Sequence, residues 1–461
     1  MSPTSRGTLA ARFPGAPRMS YRTTTSEQPL EALLAQIDGS SADLARAAIG
    51  WILPDGVALT QIGQVALQEF LWYELPLKWL VEVSELHKIA WALAKLFTAA
   101  GLERYAALCR SPQTHLLLDA WQDEDHEIAR KAMKSAIRSS GVDPPDTPLM
   151  GWGSVLGVAE QSASRRVSQA LEQAIDAGEL VPGERGWKQR AVSITEASLL
   201  LPRLDLRGGP LLQAVCRERS ESWADGHPAA RQDLLRQMLP LLASEVAVPR
   251  GARACLKPLR WLLEHIGDGV TLTRAGWLPK ALVIEANDAF GWFDLFGLSV
   301  RSEADLPELA TLNELARRAR LITKKGPRLS LSTSGRRALG DSRLLWRIVV
   351  ADIFSAGTYE GEGAALAAAE LVKAKTPLPY PRVEAGVGAG LVGRWRTDSG
   401  EVLEHWSSLD ATREFGLLSD VFGWIEQDHD GQNLTWMLTS PGRQAALLGL
   451  QLQARTPRNH L

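Results

Sequence analysis

At 461 residues, with 45% apolar and 23% charged residues, the chain has the composition of an ordinary globular protein and is too long for one core, so about three to four domains are expected. Its formal net charge of −2 excludes a chain-wide positive field for nucleic acid, and any phosphate contact must come from a local patch. Cys109, Cys216 and Cys255 lie far apart with no CxxC pair, and three is odd, which argues against a disulfide framework or a paired-cysteine zinc site and fits a reducing, cytoplasmic setting.

Residues 1–28 read as a disordered arm. The first 26 carry Arg6, Arg12, Arg18 and Arg22 but no acid, and they lack the apolar core of a secretory signal. An alternative is that translation begins at Met19. No apolar run reaches the roughly 18–20 residues needed to cross a bilayer. The most apolar stretch, 277–300, is broken by Lys280, Glu285, Asp288 and Asp294.

Residues 29–140 form the first expected unit. Its segment Asp55-Gly-Val-Ala-Leu-Thr-Gln-Ile-Gly63 matches Asp268-Gly-Val-Thr-Leu-Thr-Arg-Ala-Gly276, and each is followed by a helical stretch and then a tryptophan after an aspartate, Asp119 to Trp121 and Asp341 to Trp346. Segments 55–121 and 268–346 therefore read as diverged copies. Residues 141–205 are expected to hold the back half of a second unit: a helix over 164–177, a strand at Glu179–Val181, a hairpin loop over 182–188 and a return strand at Ala191–Thr195. Residues 206–250 read as a helical connector, opened by the turn Gly208-Gly209-Pro210.

The third unit, 251–350, is the fullest. Leu256, Leu259, Leu262, Leu263 and Ile266 have helical spacing, Val270–Thr273 is strand-like, and 277–290 reads as a second helix. Asp305 and Pro307 start a third helix, in which Leu306, Leu309, Leu312, Ala316 and Ala319 share a face. Two short strands, 321–323 and 328–332, then flank the turn Lys324-Lys325-Gly326-Pro327. Helix, strand, helix, helix, strand, turn, strand is the order of a winged helix. Residues 351–395 read as an Ala-rich helical connector followed by a linker over 377–393, and 396–461 as a last unit with a hairpin around Asp428-His-Asp-Gly431. Leu-Ser/Thr-x-x-Gly recurs at Leu331–Gly335 and Leu438–Gly442, with a weaker form at Ile194–Ser198. Such a pattern marks a strand end followed by a helix that the hydroxyl caps.

The run Leu309–Leu339 resembles the third helix and wing of MarR-like winged-helix domains, and the paired units resemble multi-winged-helix proteins of actinobacteria. The fold class expected is mainly α with small β-wings, in several repeated winged-helix-like units. The resemblance implies double-stranded DNA as partner, with the third helix in the major groove and the wing beside phosphates. On that reading Thr311, Arg317, Arg318, Lys324, Lys325, Arg328, Arg336 and Arg337 form the contact surface, within a basic span that also holds Arg320, Arg343 and Arg347. Glu308 and Glu314 on the same helix, and Glu426, Asp428 and Asp430 in the last hairpin, oppose phosphate. The alternative is a non-enzymatic scaffold whose units contact protein partners.

No nucleophile elbow, phosphate loop or His-x-x-x-His spacing occurs, so neither an enzyme nor a cofactor is expected. Asp123-Glu-Asp-His-Glu127 resembles a metal-ligand cluster, but five consecutive residues on a helix point around its circumference, so a solvated acidic helix is expected. The 16 tryptophans are expected mainly in cores.

Overall fold

The computed structural model describes residues 29–53, 58–121, 126–202, 209–293, 300–396, 399–402, 408–430 and 433–459. The arm expected over 1–28 lies outside them. The chain is mainly helical, with two three-stranded antiparallel sheets, and forms two compact units. One comprises Met1–Val215 with Asn459–Leu461, the other Cys216–Arg458.

The first unit contains α1 (Leu30–Leu34), α2 (Gly39–Ile52), α3 (Gln64–Glu69), α4 (Leu75–Lys78), α5 (Val83–Ala99), α6 (Glu103–Arg110), α7 (Pro112–Ala120), α8 (His126–Ser139), α9 (Val158–Asp176) and α10 (Trp187–Leu200). Helix α5 is its spine. Leu86, Ile89, Ala90, Leu93, Leu96 and Phe97 are buried on it, the 3–4 spacing that makes one apolar face, and it packs on α2, α6 and α7.

Several sequence expectations fail in this unit. Leu59–Gln61 is a 3₁₀ turn, not a strand, and α5 is followed by α6 and α7, whereas the matched stretch of the second copy, α17, is followed by β2 and β3. The segments 55–121 and 268–346 therefore do not share one local structure, and Asp55, Gly56 and Val57 lie outside the described residues. Matching letters serve different ends. Gly63 opens α3, where Glu172 of α9 accepts the Gln64 N–H at 3.1 Å; a carboxylate there satisfies a free amide and complements the helix dipole. Gly276 instead closes a turn with φ +85°, in which Thr273 Oγ1 accepts the Trp277 N–H at 3.1 Å.

The strands expected in 141–205 are also absent. Glu179–Val181 is irregular, and Ala191–Thr195 lies inside α10. The buried residues there, Ala191, Thr195, Ser198 and Leu199, follow helical periodicity and so place one side of a helix on the core.

Helix α11 (Leu211–Ala224) runs across the boundary at Val215, and in the second unit α12 (Ala229–Arg236), α13 (Leu239–Leu242) and α14 (Ala252–Cys255) lead into α15 (Lys257–Ile266), β1 (Val270–Thr271), α16 (Lys280–Phe290), α17 (Pro307–Arg318), β2 (Ile322–Lys325), β3 (Arg328–Leu331), α18 (Thr333–Gly340) and α19 (Ser342–Ile353). This is the element order expected over 256–347. Strand β3 is central, with Val270 opposite Leu329 and Ile322 opposite Leu331.

The order then recurs: α20 (Tyr359–Lys373), β4 (Leu378–Pro379), α21 (Tyr380–Leu391), α22 (Ser408–Val421), β5 (Ile425–Asp430), β6 (Asn433–Leu438) and α23 (Ser440–Ala454), with β6 central. The expected connector over 351–376 thus supplies the first helix of a second arrangement, and the expected linker over 377–393 is β4 and α21. Its glycines read as a flexible link, but they permit close helix crossing. A Cβ at Gly390 would lie 2.7 Å from the Leu366 side chain of α20.

The two arrangements agree down to single hydrogen bonds. Arg320 (φ 54°) and Gly423 (φ 62°) both turn the chain out of a helix in left-handed conformation. The following residues, Leu321 and Trp424, accept the amides of Ser332 and Thr439, each at 3.0 Å. Ser332 and Thr439 then cap α18 and α23 by accepting the Gly335 and Gly442 amides at 2.8 and 3.1 Å. A Cβ on Gly335 would collide with the Leu321 carbonyl, and one on Gly442 with the Trp424 carbonyl. The Leu-Ser/Thr-x-x-Gly signature is therefore a closely packed joint between strand and helix at these two places.

Gly335→Ala and Gly442→Ala are each expected to destabilise the chain by about 1–3 kcal/mol through overpacking. Gly340→Ala, in open space, should stay within about 0.5 kcal/mol. Denaturant melts of the three variants measure this, and equal losses at all three positions would refute the joint.

Candidate nucleic-acid interface

Helix α17 starts at Pro307, a residue suited to a first helical turn. It buries Leu309, Leu312, Asn313, Leu315 and Ala316, which fixes the positions of Thr311, Arg317 and Arg318. Its sequence equivalent in the following arrangement is α22, and the two helices pack on each other.

Charged groups mark both ends of that seam. Arg318 donates to Asp352 of α19 at 2.8 Å and to Glu414 of α22 at 2.5 Å. Burial works against its charge, but these two carboxylates outweigh burial and raise its pKa. Burial is also the main influence on Asp352 and pushes its carboxyl up, against the pull of Arg318. At the other end, burial raises the Glu308 carboxyl, and the nearby Asp420 of α22 adds to the shift. A cleft of about 240 Å³ beside Arg318 is lined by Asp352, Glu360 and Glu414 together with Thr358 and Phe415. Its acids outnumber its one cation, a poor surrounding for phosphate.

The eight sequence-predicted contact residues are divided by this geometry. Thr311 turns its hydroxyl onto the Pro307 carbonyl at 2.7 Å. Arg317 donates to Asn313 Oδ1 at 3.3 Å; Asn313 in turn donates to Glu303, whose carboxylate accepts the Leu278 amide. Arg318 is held by the two acids. Arg336 meets Asp268 at 2.9 Å, an exposed pair of small energetic weight. Arg328 reaches the Asp268 carbonyl at 3.4 Å and lies against Gly269. Lys324, Lys325 and Arg337 are exposed, with no partner among the described residues. The hairpin thus gathers Lys324, Lys325 and Arg328, while α17 presents little free positive charge beside them.

A second polar cluster, in the first unit, escaped sequence reasoning. His87 on α5 and His115 on α7 face each other, Nδ1 to Nδ1, at 2.6 Å with stacked rings, and Asp119 meets His87 Nε2 at 2.7 Å. Asp119 and His115 thus engage opposite nitrogens of His87, and the three groups do not converge on one point. The only sequence signal was the i, i+4 pair His115 and Asp119, which points nowhere until α5 arrives. In the acidic run 123–127, residues 123–125 lie outside the described residues; Glu127 pairs with Lys131 at 2.7 Å and His126 packs on Trp121. Several tryptophans, including Trp72, Trp346 and Trp424, are buried as expected, whereas Trp91 is half exposed.

Comparison of the chain with protein-family models, curated proteins and solved structures finds no match.

Two outcomes follow. Arg318→Ala strands half-buried carboxylates and is expected to cost about 1–3 kcal/mol, with much of the loss recovered in Arg318→Ala/Glu414→Gln. A double-mutant cycle by denaturant melting measures it, and strict additivity would refute the clamp. Burial, then the neighbouring His87, lowers the His115 pKa below its usual 6.5. The folded chain therefore binds that proton more weakly than the unfolded chain. The stability it contributes is full above about pH 6.5 and is lost as pH falls toward the folded pKa. His115→Gln should flatten the fall in melting temperature between about pH 7 and pH 5; an unchanged slope would sink the assignment.

Proposed function

We propose that 257–340 and 359–454 are two consecutive winged-helix units of the MarR-like kind, and that the protein is a non-enzymatic cytoplasmic scaffold that uses them for protein contacts. The observation that carries this reading is the packing of α17 on α22. The helix that would enter the major groove in each unit is turned toward its counterpart, and Arg318 is spent on Asp352 and Glu414. What α17 leaves exposed is the stripe Pro307, Glu314 and Arg318, an acid and an arginine already paired with two carboxylates, which suits the phosphates flanking a groove poorly.

A second reading, binding to double-stranded DNA, is favoured by one observation: Lys324 and Lys325 are exposed on a hairpin with no partner among the described residues. A hairpin can touch phosphates without its helix. This mode would be independent of base sequence.

A salt titration of duplex binding separates the two. The scaffold reading expects no detectable binding at about 50 mM salt and tens of micromolar protein, where phosphate contacts are strong. Under the DNA reading the wild type binds, and Lys324→Ala/Lys325→Ala/Arg328→Ala lowers the slope of log affinity against log salt by about 2–3.

A further inference from the structure

The two hairpins carry opposite charge on equivalent strands. Strand β2 reads Ile322-Thr-Lys-Lys325, and the first four residues of β5 read Ile425-Glu-Gln-Asp428. In both, the leading isoleucine is buried and the next three residues are exposed. Both are edge strands: β2 neighbours only β3, and β5 neighbours only β6. Each therefore offers a free row of backbone amides and carbonyls along one side.

Neither strand satisfies its charge locally. Lys325 sits directly opposite Arg328, a like-charge cross-strand pair that is destabilising by itself. Glu426 and Asp428 lie opposite Met437 and Thr435, and no cation meets them among the described residues. Because side chains alternate, Lys325 shares its face with Thr323, and Glu426 shares its face with Asp428. Antiparallel addition of a β5 edge to a β2 edge would place Lys325, with Arg328 across from it, on the same side of a continuous sheet as Glu426 and Asp428, while Lys324 projects from the other side. The added backbone hydrogen bonds would supply affinity, and the charges would set register and exclude like pairing of β2 with β2 or β5 with β5.

Resting on the scaffold reading above, we propose that a partner of this protein is a second copy of the same chain, joined by β2 of one copy and β5 of the other.

Sedimentation velocity of the full chain tests this. Association should appear at tens of micromolar in low salt, near 50 mM, and weaken with added salt, as screened charge pairs do. Lys324→Glu/Lys325→Glu and Glu426→Lys/Asp428→Lys should each weaken it by at least about tenfold, because each places like charges together. An equimolar mixture of the two variants should associate again, since it restores opposite edges. Melting curves verify that both variants are folded; if one is not, the milder Lys325→Gln and Asp428→Asn should each weaken association in the same direction. A wild type that stays monomeric, or association indifferent to the reversals, overturns the proposal. A monomer that ignores duplex DNA overturns self-association alone. A monomer that binds duplex DNA, and loses it in Lys324→Glu/Lys325→Glu, overturns the scaffold reading with it.

Discussion

The contact between α17 and α22 decides what the second unit can do. Both helices occupy the third-helix place of their arrangements, and Arg318 ties one to the other through Glu414 while also holding Asp352 of α19. A guanidinium satisfied by two carboxylates in a partly buried setting is costly to detach, because each group left behind would be desolvated and unpaired. Positive charge that looks available in the sequence is thereby neutralised in the fold. Among the eight candidate residues, those left exposed without a partner in the described residues are Lys324 and Lys325 on the hairpin and Arg337 on α18.

The same unit has a second ionic anchor. Glu362, in the first turn of α20, receives Arg231 of α12 at 2.9 Å, Arg394 at 2.8 Å and the Trp395 indole N–H at 2.8 Å. Arg231 is almost wholly buried and also donates to the Trp223 carbonyl at 2.8 Å. Such a cluster contributes less to net stability than to uniqueness of arrangement, since it is stable only when every partner is in place. It fixes α12 against α20 and the end of α21, and so fixes where the second arrangement begins.

In the first unit Glu172 has the comparable role. It accepts from the Gln64 amide, the Arg104 guanidinium and the Tyr105 hydroxyl, and Arg104 also meets Asp176 at 3.0 Å. One carboxylate on α9 therefore orders the start of α3 and the face of α6. Helices α9 and α10 pack on each other, and the segment between them holds Gly178, Gly183 and Gly186, all at positive φ, a conformation that other residues adopt at a cost.

Periodicity by itself determined the helices α15 and α17, because a helix that buries one face must repeat its apolar residues every three to four positions. A hairpin between residues 321 and 332 was legible from the turn residues between two short apolar runs, but Lys324 and Lys325, read as turn, pair with Leu329 and Arg328 as part of β2, and the turn is Gly326-Pro327 alone. The sequence also pointed to the exposed Lys324 and Lys325. Only tertiary structure decided the rest. Leu-Thr-x-x-Gly is a joint at Gly442, a loop turn at Gly276 and a helix entry at Gly63, because the glycine's meaning lies in the atom that approaches it. The Gly-rich stretch 380–391 is a helix because α20 packs against it, and propensity yields to packing. Arg318 is paired with Asp352 and Glu414, 34 and 96 residues away in sequence. Charge pairing at such separations is set by which helices meet, and local sequence carries no record of that.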